Sequence, residues 1–352
     1  MKKFITLSQI ERKNLIQKAA FDLGMRFDVV EKDIWVCYVL GKLFSLKELQ
    51  GKLVFKGGTC LSKAYGLIER FSEDVDLTIS KSCLNAEGAS NKPRKVESRL
   101  RHAAEDFVKD TIYELLKKVF AKDLESDSWS LDFSEEDQST LLFQFPISDD
   151  GKRLWVTKNG NRIITRDGSQ VMFSSGYYNY IKPSIKLEFG ALGEDWPSEE
   201  KTVEPYAKKI LPDFFDESHV KVLDVKRNFL EKLLILHSIC LRPIDKPLKH
   251  HYSRHYYDIF CLIKSGIAKE ALKFPEILKS VKENKITFWD ETWEPYKNIN
   301  SFHDIKVVPT QDSRLKELES DYERMKEMFF GKYPDFSDVI DELRSFEKSL
   351  KV

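Results

Sequence analysis

The chain has 352 residues, of which 57 are Lys or Arg and 57 are Asp or Glu, so its formal net charge is zero at pH 7. This length suffices for a substantial core and for two domains that share one cleft. Neutrality excludes the global attraction to nucleic acid of a strongly basic protein, so any RNA binding must depend on a local patch.

The cysteines and the apolar segments exclude two further classes of protein. No two cysteines form a CxxC pair and their number is odd, which argues against a zinc site and against a disulfide framework. No apolar run approaches the ~20 residues that a helix needs to cross a bilayer. We therefore expect a cytoplasmic protein with no membrane partner and with reduced thiols at Cys37, Cys60, Cys83, Cys240 and Cys261.

The first half of the chain predicts helices around a short run of strands. Hydrophobic periodicity and a capping Ser8 predict helical structure over residues 8–46, with a second helix at 29–44. Apolar runs and glycines then predict a strand at 53–55, a helix at 61–68, a strand at 75–79 and an amphipathic helix at 91–123. The apolar stripe of this last helix predicts that it packs on the core.

The second half predicts more strands and then a helical region. Aromatic and β-branched residues predict strands at 128–133, 140–147 and 178–189, interrupted by the Gly- and Asp-rich residues 149–168. Helical periodicity follows at 224–241, 253–266, 312–330 and 336–350. We therefore predict two domains, a sheet-containing core with amino-terminal helices at 1–215 and a helical lobe at 216–352.

A glycine turn and two carboxylates one residue apart have the clearest chemical meaning. Gly57 and Gly58 follow the strand at 53–55, and without Cβ atoms they allow a sharp turn that brings backbone N–H groups close to a phosphate. In the next strand Asp74 and Asp76 point to the same face, because successive side chains alternate. Two carboxylates on one face can share a hard cation such as Mg²⁺ or Mn²⁺. The combination predicts metal-dependent nucleotidyl transfer.

A third carboxylate is predicted on a neighbouring strand. In the strand at 178–189, Lys186 and Glu188 alternate with apolar residues and so share the polar face. If this strand lies beside the one that carries Asp74 and Asp76, Glu188 becomes a third metal ligand. The alternative is a surface glutamate that pairs with Lys186 and has no part in the site.

The glycine turn and the acidic pair together resemble the nucleotidyltransferase signature of the DNA polymerase β superfamily. The segments GGTCLSK at 57–63 and RFSEDVDL at 70–77 are more closely similar to motifs of the AbiEii/AbiGii toxin family, which includes the MenT-type toxins. Other segments similar to motifs of this family are EKDIWV at 31–36, FLEKL at 229–233, SRHYYD at 253–258 and DYERM at 321–325. The resemblance therefore spans most of the chain.

The resemblance implies a fold and adds residues from the helical lobe. It implies an α/β (α+β) fold, with a polymerase β-type mixed sheet, flanking helices and a helical carboxyl-terminal lobe. It also implies that Lys232 and Asp258 belong to the active site: Lys232 would contact a phosphate, and Asp258 would orient Lys232 or act on the attacking hydroxyl. Without the resemblance, both would be read as surface residues of amphipathic helices, with Arg254 and Asp258 as an i, i+4 ion pair.

Further residues are predicted to bind the nucleotide. Thr59 and Lys63 follow the glycines and would help them to hold the triphosphate, to which Arg254 would add a positive charge. Ser72 would either donate its hydroxyl to a phosphate or form a turn before the strand. The cation-rich loop at 242–251 would grip an RNA backbone or the nucleotide phosphates, unless it is simply solvated.

These features predict a Mg²⁺-dependent nucleotidyltransferase that transfers a nucleoside monophosphate from a nucleoside triphosphate to a macromolecule. In some members of the resembled family the acceptor is the 3′ end of tRNA, which is therefore the favoured acceptor here. The resemblance also implies that the protein is the toxin of a toxin–antitoxin or phage-defence system, with a cognate antitoxin as partner. Two alternatives stay open. One is transfer to protein hydroxyls, and the other is a catalytically idle nucleotide-binding protein that acts through a partner.

Overall fold

The computed structural model describes residues 1–72, 74–84, 93–148, 182–289, 291–329 and 332–351, and the backbone of three short strands within 155–171. Its helices are α1 (Lys2–Ile5), α2 (Gln9–Leu23), α3 (Phe27–Ser45), α4 (Gly57–Lys63), α5 (Pro93–Phe107), α6 (Glu114–Asp123), α7 (Val225–Leu241), α8 (Ser253–Lys264), α9 (Ile267–Ala271), α10 (Pro275–Phe288), α11 (Asp312–Arg324) and α12 (Phe336–Ser349). Its strands are β1 (Leu53–Lys56), β2 (Asp74–Ile79), β3 (Ser130–Phe133), β4 (Thr140–Gln144), β5 (Trp155–Val156), β6 (Ile163–Ile164), β7 (Gln170–Val171), β8 (Ser184–Gly190), β9 (Ser198–Val203) and β10 (Ser218–Leu223).

One mixed sheet forms the centre of the fold, with strand order β3-β4-β8-β2-β1-β10-β9. Strands β1 and β2 are antiparallel, and each has a parallel partner on its other side, β10 beside β1 and β8 beside β2. The outer strands pair antiparallel, and β5, β6 and β7 form a separate small sheet. The predicted mixed α/β fold is confirmed, although β9 and β10 were not predicted.

Alternation along β2 and β8 gives the sheet an apolar face and a polar face, as predicted. The apolar side chains of these strands are buried in a core that includes most of α3, which lies against the sheet: Val75, Leu77, Ile79, Ile185, Leu187 and Phe189. The polar side chains that alternate with them are only partly buried: Asp74, Asp76, Lys186 and Glu188. The polar face is therefore available for a site.

Two predicted helices differ from the observed ones. The helix predicted at 61–68 is wrong in its position, because α4 begins at Gly57 and ends at Lys63. Gly57 has a φ of 78°, which favours glycine, so the chain enters the helix directly through the glycines. The helix predicted at 91–123 contains a π-helical segment, Val108–Tyr113, between α5 and α6.

Other predicted elements occur with ends displaced by a few residues. The capping role of Ser8 is confirmed, because its side chain and that of Glu11 form a capping box at the start of α2. Several predicted positions lie outside the described residues, namely 91–92, 178–181, 330 and most of 149–168.

The helices after β10 pack around α7 and form a second core. Helix α7 contacts α8, α9 and α10, and α12 packs on α8. Strand β10 leads directly into α7 but pairs with β1, so the sheet continues beyond residue 215, where we predicted the helical lobe to begin. Within the described residues, no helix is long and apolar enough to cross a membrane.

Candidate active site

A cleft of about 430 Å³ lies between the polar face of the sheet and the helical lobe. Residues of β1, β2 and β8 line one side, and residues of α7, α8 and α10 line the other. Most of the predicted site residues line this cleft, although they come from both halves of the chain: Gly57, Gly58, Ser72, Asp74, Asp76, Glu188, Lys232 and Arg254.

The acidic end of the cleft is built by the register of three strands. Asp74 and Asp76 lie opposite Lys186 and Glu188 of β8, and Lys56 of β1 lies opposite Asp76 on the other side. Glu188 therefore lies next to Asp76, where we predicted a third carboxylate. Glu188 also forms an ion pair with Lys186, which the alternative prediction of a surface glutamate included. Its role as a metal ligand stays a prediction.

The electrostatics of this end favour a cation. Burial and the Glu188 carboxylate raise the pKa of Asp76 to about 6, with Asp74 acting in the same direction and Lys56 and Arg254 against it. Oxygen donors that repel one another are suited to Mg²⁺ or Mn²⁺, which would relieve the repulsion. Among the described residues, no three His, Cys, Asp or Glu side chains are already arranged around one metal position. The donor set fits a divalent cation.

The two glycines leave space for functional side chains as well as allowing the turn. A Cβ atom on Gly57 would clash with the carboxylate of Asp76. A Cβ atom on Gly58 would lie 2.7 Å from Nη2 of Arg70 and 3.2 Å from Oγ of Ser72. Any side chain at either position would thus displace residues that line the cleft.

The backbone N–H of Gly57 has a partner within the protein. It donates to Oδ1 of Asn228 at 3.3 Å, and Nδ2 of Asn228 donates to the carbonyl of Leu223 at 3.1 Å. This amide side chain connects the glycine turn to the start of α7. The contact holds the sheet and the helical lobe together at the cleft.

A buried charge cluster lies behind the helical side of the cleft. Asp258 is fully buried, accepts hydrogen bonds from Nε and Nη2 of Arg70 at 2.7 and 2.8 Å, and pairs with Nζ of Lys232 at 2.8 Å. Although burial acts to raise it, these two cations hold the pKa of Asp258 well below its usual range. Asp258 does not line the cleft, whereas Lys232 and Arg70 do. This geometry fits the first role predicted for Asp258, the orientation of Lys232.

Two predicted nucleotide ligands lie outside the cleft. The ammonium of Lys63 is 2.6 Å from Oδ1 of Asp33 and 3.6 Å from the ring centroid of Tyr206, and its side chain is almost fully buried. The hydroxyl of Thr59 donates to the main-chain carbonyl of Asp74. Both side chains are engaged beneath the turn, so they support α4 and β2 and do not reach the cleft.

The segments at 31–36 and 321–325, which resemble family motifs, have partners elsewhere in the scaffold. Glu31 accepts a hydrogen bond from the N–H of Ser148, and Asp33 accepts one from the N–H of Tyr206, both at 2.7 Å. Asp321 accepts hydrogen bonds from the N–H and the hydroxyl of Ser253 at the start of α8. These carboxylates hold elements of the scaffold, and α8 in turn carries Arg254 and Asp258.

Sequence reasoning missed several residues that line the cleft, among them Lys56, Arg70, His255, Lys285 and Trp289. Lys56 directly precedes the glycines, Arg70 opens the RFSEDVDL segment, and His255 belongs to the SRHYYD segment, so each had a local signal. Lys285 and Trp289 come from the end of α10, for which no local pattern indicated a site. Burial lowers the pKa of Lys285 to about 8.

The chain is similar to known proteins in sequence and in fold. A family model described as the nucleotidyl transferase AbiEii toxin of type IV toxin–antitoxin systems matches residues 38–350. The fold resembles MenT4, a nucleotidyltransferase toxin from Mycobacterium tuberculosis H37Rv, over 98% of this chain and 100% of that one, with 14% identity and a TM-score of 0.43. No curated protein matches the sequence. The predicted family and enzyme class are confirmed by the family match, and the chain belongs to the AbiEii family of nucleotidyltransferase toxins.

Proposed function

We propose that this protein transfers a nucleoside monophosphate from a nucleoside triphosphate to an RNA acceptor, with the 3′ end of tRNA favoured, in a reaction that requires Mg²⁺ or Mn²⁺. The observation that carries the proposal is that carboxylates of the sheet and cations of the helical lobe line the same cleft. Asp74, Asp76 and Glu188 lie on the sheet side, and Lys232 and Arg254 on the helical side. Phosphoryl and nucleotidyl transfer depend mainly on positioning and on such neutralisation of charge.

The carboxylates of Asp74 and Asp76 would hold the metal. Glu188 would join them once its ion pair with Lys186 opens. A bound divalent cation would lower the pKa of the attacking hydroxyl and offset the charge of the leaving pyrophosphate. Because Asp76 is partly buried beside a second carboxylate, its ionisation is unfavourable without a metal, and a bound cation would offset this cost.

The phosphates would lie between the glycines and the cations of the helical lobe. Lys232 would bind a phosphate as a point charge, in a position that its ion pair with Asp258 determines. Arg254 and Ser72 would add a cation and a hydroxyl donor, since both line the same cleft. The absent side chain of Gly58 leaves this space open.

The acceptor would approach over the loop at 242–251. Lys249 lines a second cleft that shares four lining residues with the catalytic cleft, and Arg242 and Lys246 lie over the ring of Trp293, 5.2 and 4.6 Å from its centroid. Such a patch of cations would contact an RNA backbone. We place the reaction in the cytoplasm, in a toxin–antitoxin or phage-defence pair with a cognate antitoxin.

Incubation with each labelled nucleoside triphosphate, Mg²⁺ and either total RNA or a cell extract tests the proposal. We expect label on RNA, and no label when EDTA is present or when Asp74→Asn replaces the wild type. Label on protein instead would establish transfer to protein hydroxyls. Triphosphate binding without label on either acceptor would indicate a catalytically idle protein.

A further inference from the structure

A second cleft, of about 470 Å³, adjoins the catalytic cleft within the helical lobe. Four residues line both clefts and mark their junction: Ile235, His255, Lys285 and Trp289. Beyond this junction the described lining lacks Asp74, Asp76 and Glu188 and carries three aromatic rings, Tyr252, Phe288 and Tyr296, together with Arg242, Lys249 and Glu291. The two clefts therefore adjoin at these four residues, and most of the aromatic rings line the second cleft.

We propose that the second cleft binds the nucleoside of the nucleoside triphosphate, with the base stacked on Trp289, while the triphosphate lies in the catalytic cleft. The inference rests on the proposed function and adds to it a subsite for the base. Every nucleobase has a flat apolar face that stacks on aromatic side chains. The only flat rings at the junction among the described residues belong to His255 and Trp289, and Trp289 is 37% exposed.

The positions of Lys285 and Trp289 match the division of a nucleotide into phosphate and base. They lie four residues apart at the end of α10, and the ammonium of Lys285 is 4.9 Å from the ring centroid of Trp289. The cation thus lies at the boundary between the two clefts, where the first phosphate joins the ribose. A base on Trp289 would place its phosphates on the side of the cations.

His255 provides a polar group at the same boundary. Its Nδ1 atom is buried and has no hydrogen-bond partner among the residues that the structure describes. Burial and the charges of Lys232 and Arg254 lower the pKa of His255 well below its usual value, so the ring is neutral. Because buried polar atoms are almost always hydrogen-bonded, a ribose hydroxyl or a base edge is the partner that this atom lacks.

The size of the cleft favours a nucleoside over an RNA segment. A volume of about 470 Å³ lies within the range of sites that enclose one small ligand, roughly 300–1,000 Å³. An RNA acceptor needs an extended cationic track, whereas the described lining of this cleft contains three Lys or Arg side chains, Arg242, Lys249 and Lys285.

Binding of two probes separates the base from the phosphates. Dissociation constants for a nucleoside triphosphate and for inorganic tripolyphosphate, each with Mg²⁺, are compared in the wild type, Trp289→Ala and Trp289→Phe. We expect Trp289→Ala to weaken triphosphate binding about tenfold or more and Trp289→Phe by no more than about threefold. Tripolyphosphate binding should be unchanged in both. Trp196→Ala is the matched control, because Trp196 is exposed and lines neither cleft.

Wild-type tryptophan fluorescence gives a second reading that does not depend on the alanine variant folding. The nucleoside triphosphate should quench it, tripolyphosphate should not, and Trp289→Phe should lose most of the quenching. If Trp289→Ala lost equal affinity for the nucleoside triphosphate and for tripolyphosphate, the inference would be overturned, because the second cleft would then hold phosphates. If Trp289→Ala raised the KM for the acceptor and left nucleoside triphosphate binding unchanged, that result would also overturn the inference. A wild type that binds the nucleoside triphosphate but transfers nothing refutes the proposed function alone.

Discussion

Asp76 is the residue on which the electrostatics of the site concentrate. Its pKa in the folded protein is raised to about 6 by burial and by Glu188, above an unfolded value of about 3.9. A raised carboxyl pKa contributes stability that is fully present below the unfolded value and is lost as the pH rises through 6. At neutral pH the ionised carboxylate therefore destabilises the metal-free protein.

We expect Asp76→Asn to abolish transfer and, in EDTA at pH 7.5, to raise the Tm by on the order of 2–6 °C. The Tm difference should shrink as the pH is lowered from 7.5 to 5, because the wild-type carboxyl becomes protonated. Calorimetry at both pH values and a transfer assay measure the two effects. Turnover above about a tenth of the wild type, a loss below ~1.4 kcal/mol, would contradict the assignment of Asp76 to the metal.

The variants Asp258→Ala and Lys232→Ala should differ in stability, although we expect both residues to be needed for transfer. Asp258→Ala leaves Arg70 and Lys232 without their shared buried partner, which we expect to lower the free energy of unfolding by about 3–5 kcal/mol. Lys232→Ala leaves Asp258 paired with Arg70, so its Tm should fall less while transfer is lost. Denaturation curves and turnover are measured for each variant.

Lys226→Ala is the control for Lys232→Ala, because Lys226 lies on the same helix, pairs with Asp224 and does not line the cleft. It should retain full transfer. Full activity in Lys232→Ala would instead show that Lys232 is a residue of the scaffold.

At the scale of elements, two glycines around α4 allow the effect of backbone strain to be separated from an effect on the site. Gly57 and Gly66 both have positive φ values, 78° and 63°. A Cβ on Gly57 would clash with Asp76, whereas nothing lies within 4 Å of a Cβ on Gly66. We expect each change to Ala to cost about 1–2 kcal/mol of stability through φ, and only Gly57→Ala to lose metal-dependent transfer. Equal turnover in the two variants would show that the first glycine has only a backbone role.

Helix α7 shows how one element serves the core and the site together. Its buried apolar residues face the second core: Phe229, Leu230, Leu233 and Leu234. Another stripe of the same helix, at spacings of three and four residues, lines the cleft: Asn228, Glu231, Lys232 and Ile235. The apolar period identifies the buried face, but it leaves open which neighbour the polar stripe meets.

At the scale of the whole molecule, zero net charge means that binding of RNA must come from a local patch. We expect Lys246→Ala with Lys249→Ala to weaken acceptor binding and to reduce the log–log salt slope by up to ~2, with tripolyphosphate binding unchanged. Lys18→Ala with Lys47→Ala is the control, because these lysines line neither cleft. Binding titrations at several salt concentrations decide the matter, and an unchanged slope would remove RNA from this loop.

The cleft itself is a property of the two lobes together. Each lobe has its own core, and the contacts that join them at the site run between residues far apart in the chain. Arg70 and Asp258 are separated by 188 positions, and Gly57 and Asn228 by 171. The sheet lobe supplies Asp74, Asp76 and Glu188, and the helical lobe supplies Lys232, Arg254 and Lys285, so neither lobe alone presents the complete set.

Local patterns in the sequence determined the strand alternation of Asp74 and Asp76, the glycine turn and the cap at Ser8. These patterns are readable because they depend on neighbours a few residues away and on a fixed period. The resemblance to the AbiEii family added Lys232 and Asp258 to the predicted site. The predicted family was then confirmed by a family model that matches residues 38–350.

Only the tertiary structure decided which cations reach the cleft. Lys63 follows the glycines directly but is buried against Asp33, whereas Lys285 lines the cleft although it lies more than two hundred residues later in the chain. The structure also showed that Asp258 pairs with Arg70 in addition to the predicted Lys232. The physical reason is that a sequence period gives the direction of a side chain from its own element. The packing of distant elements then determines which charge or ring that side chain meets.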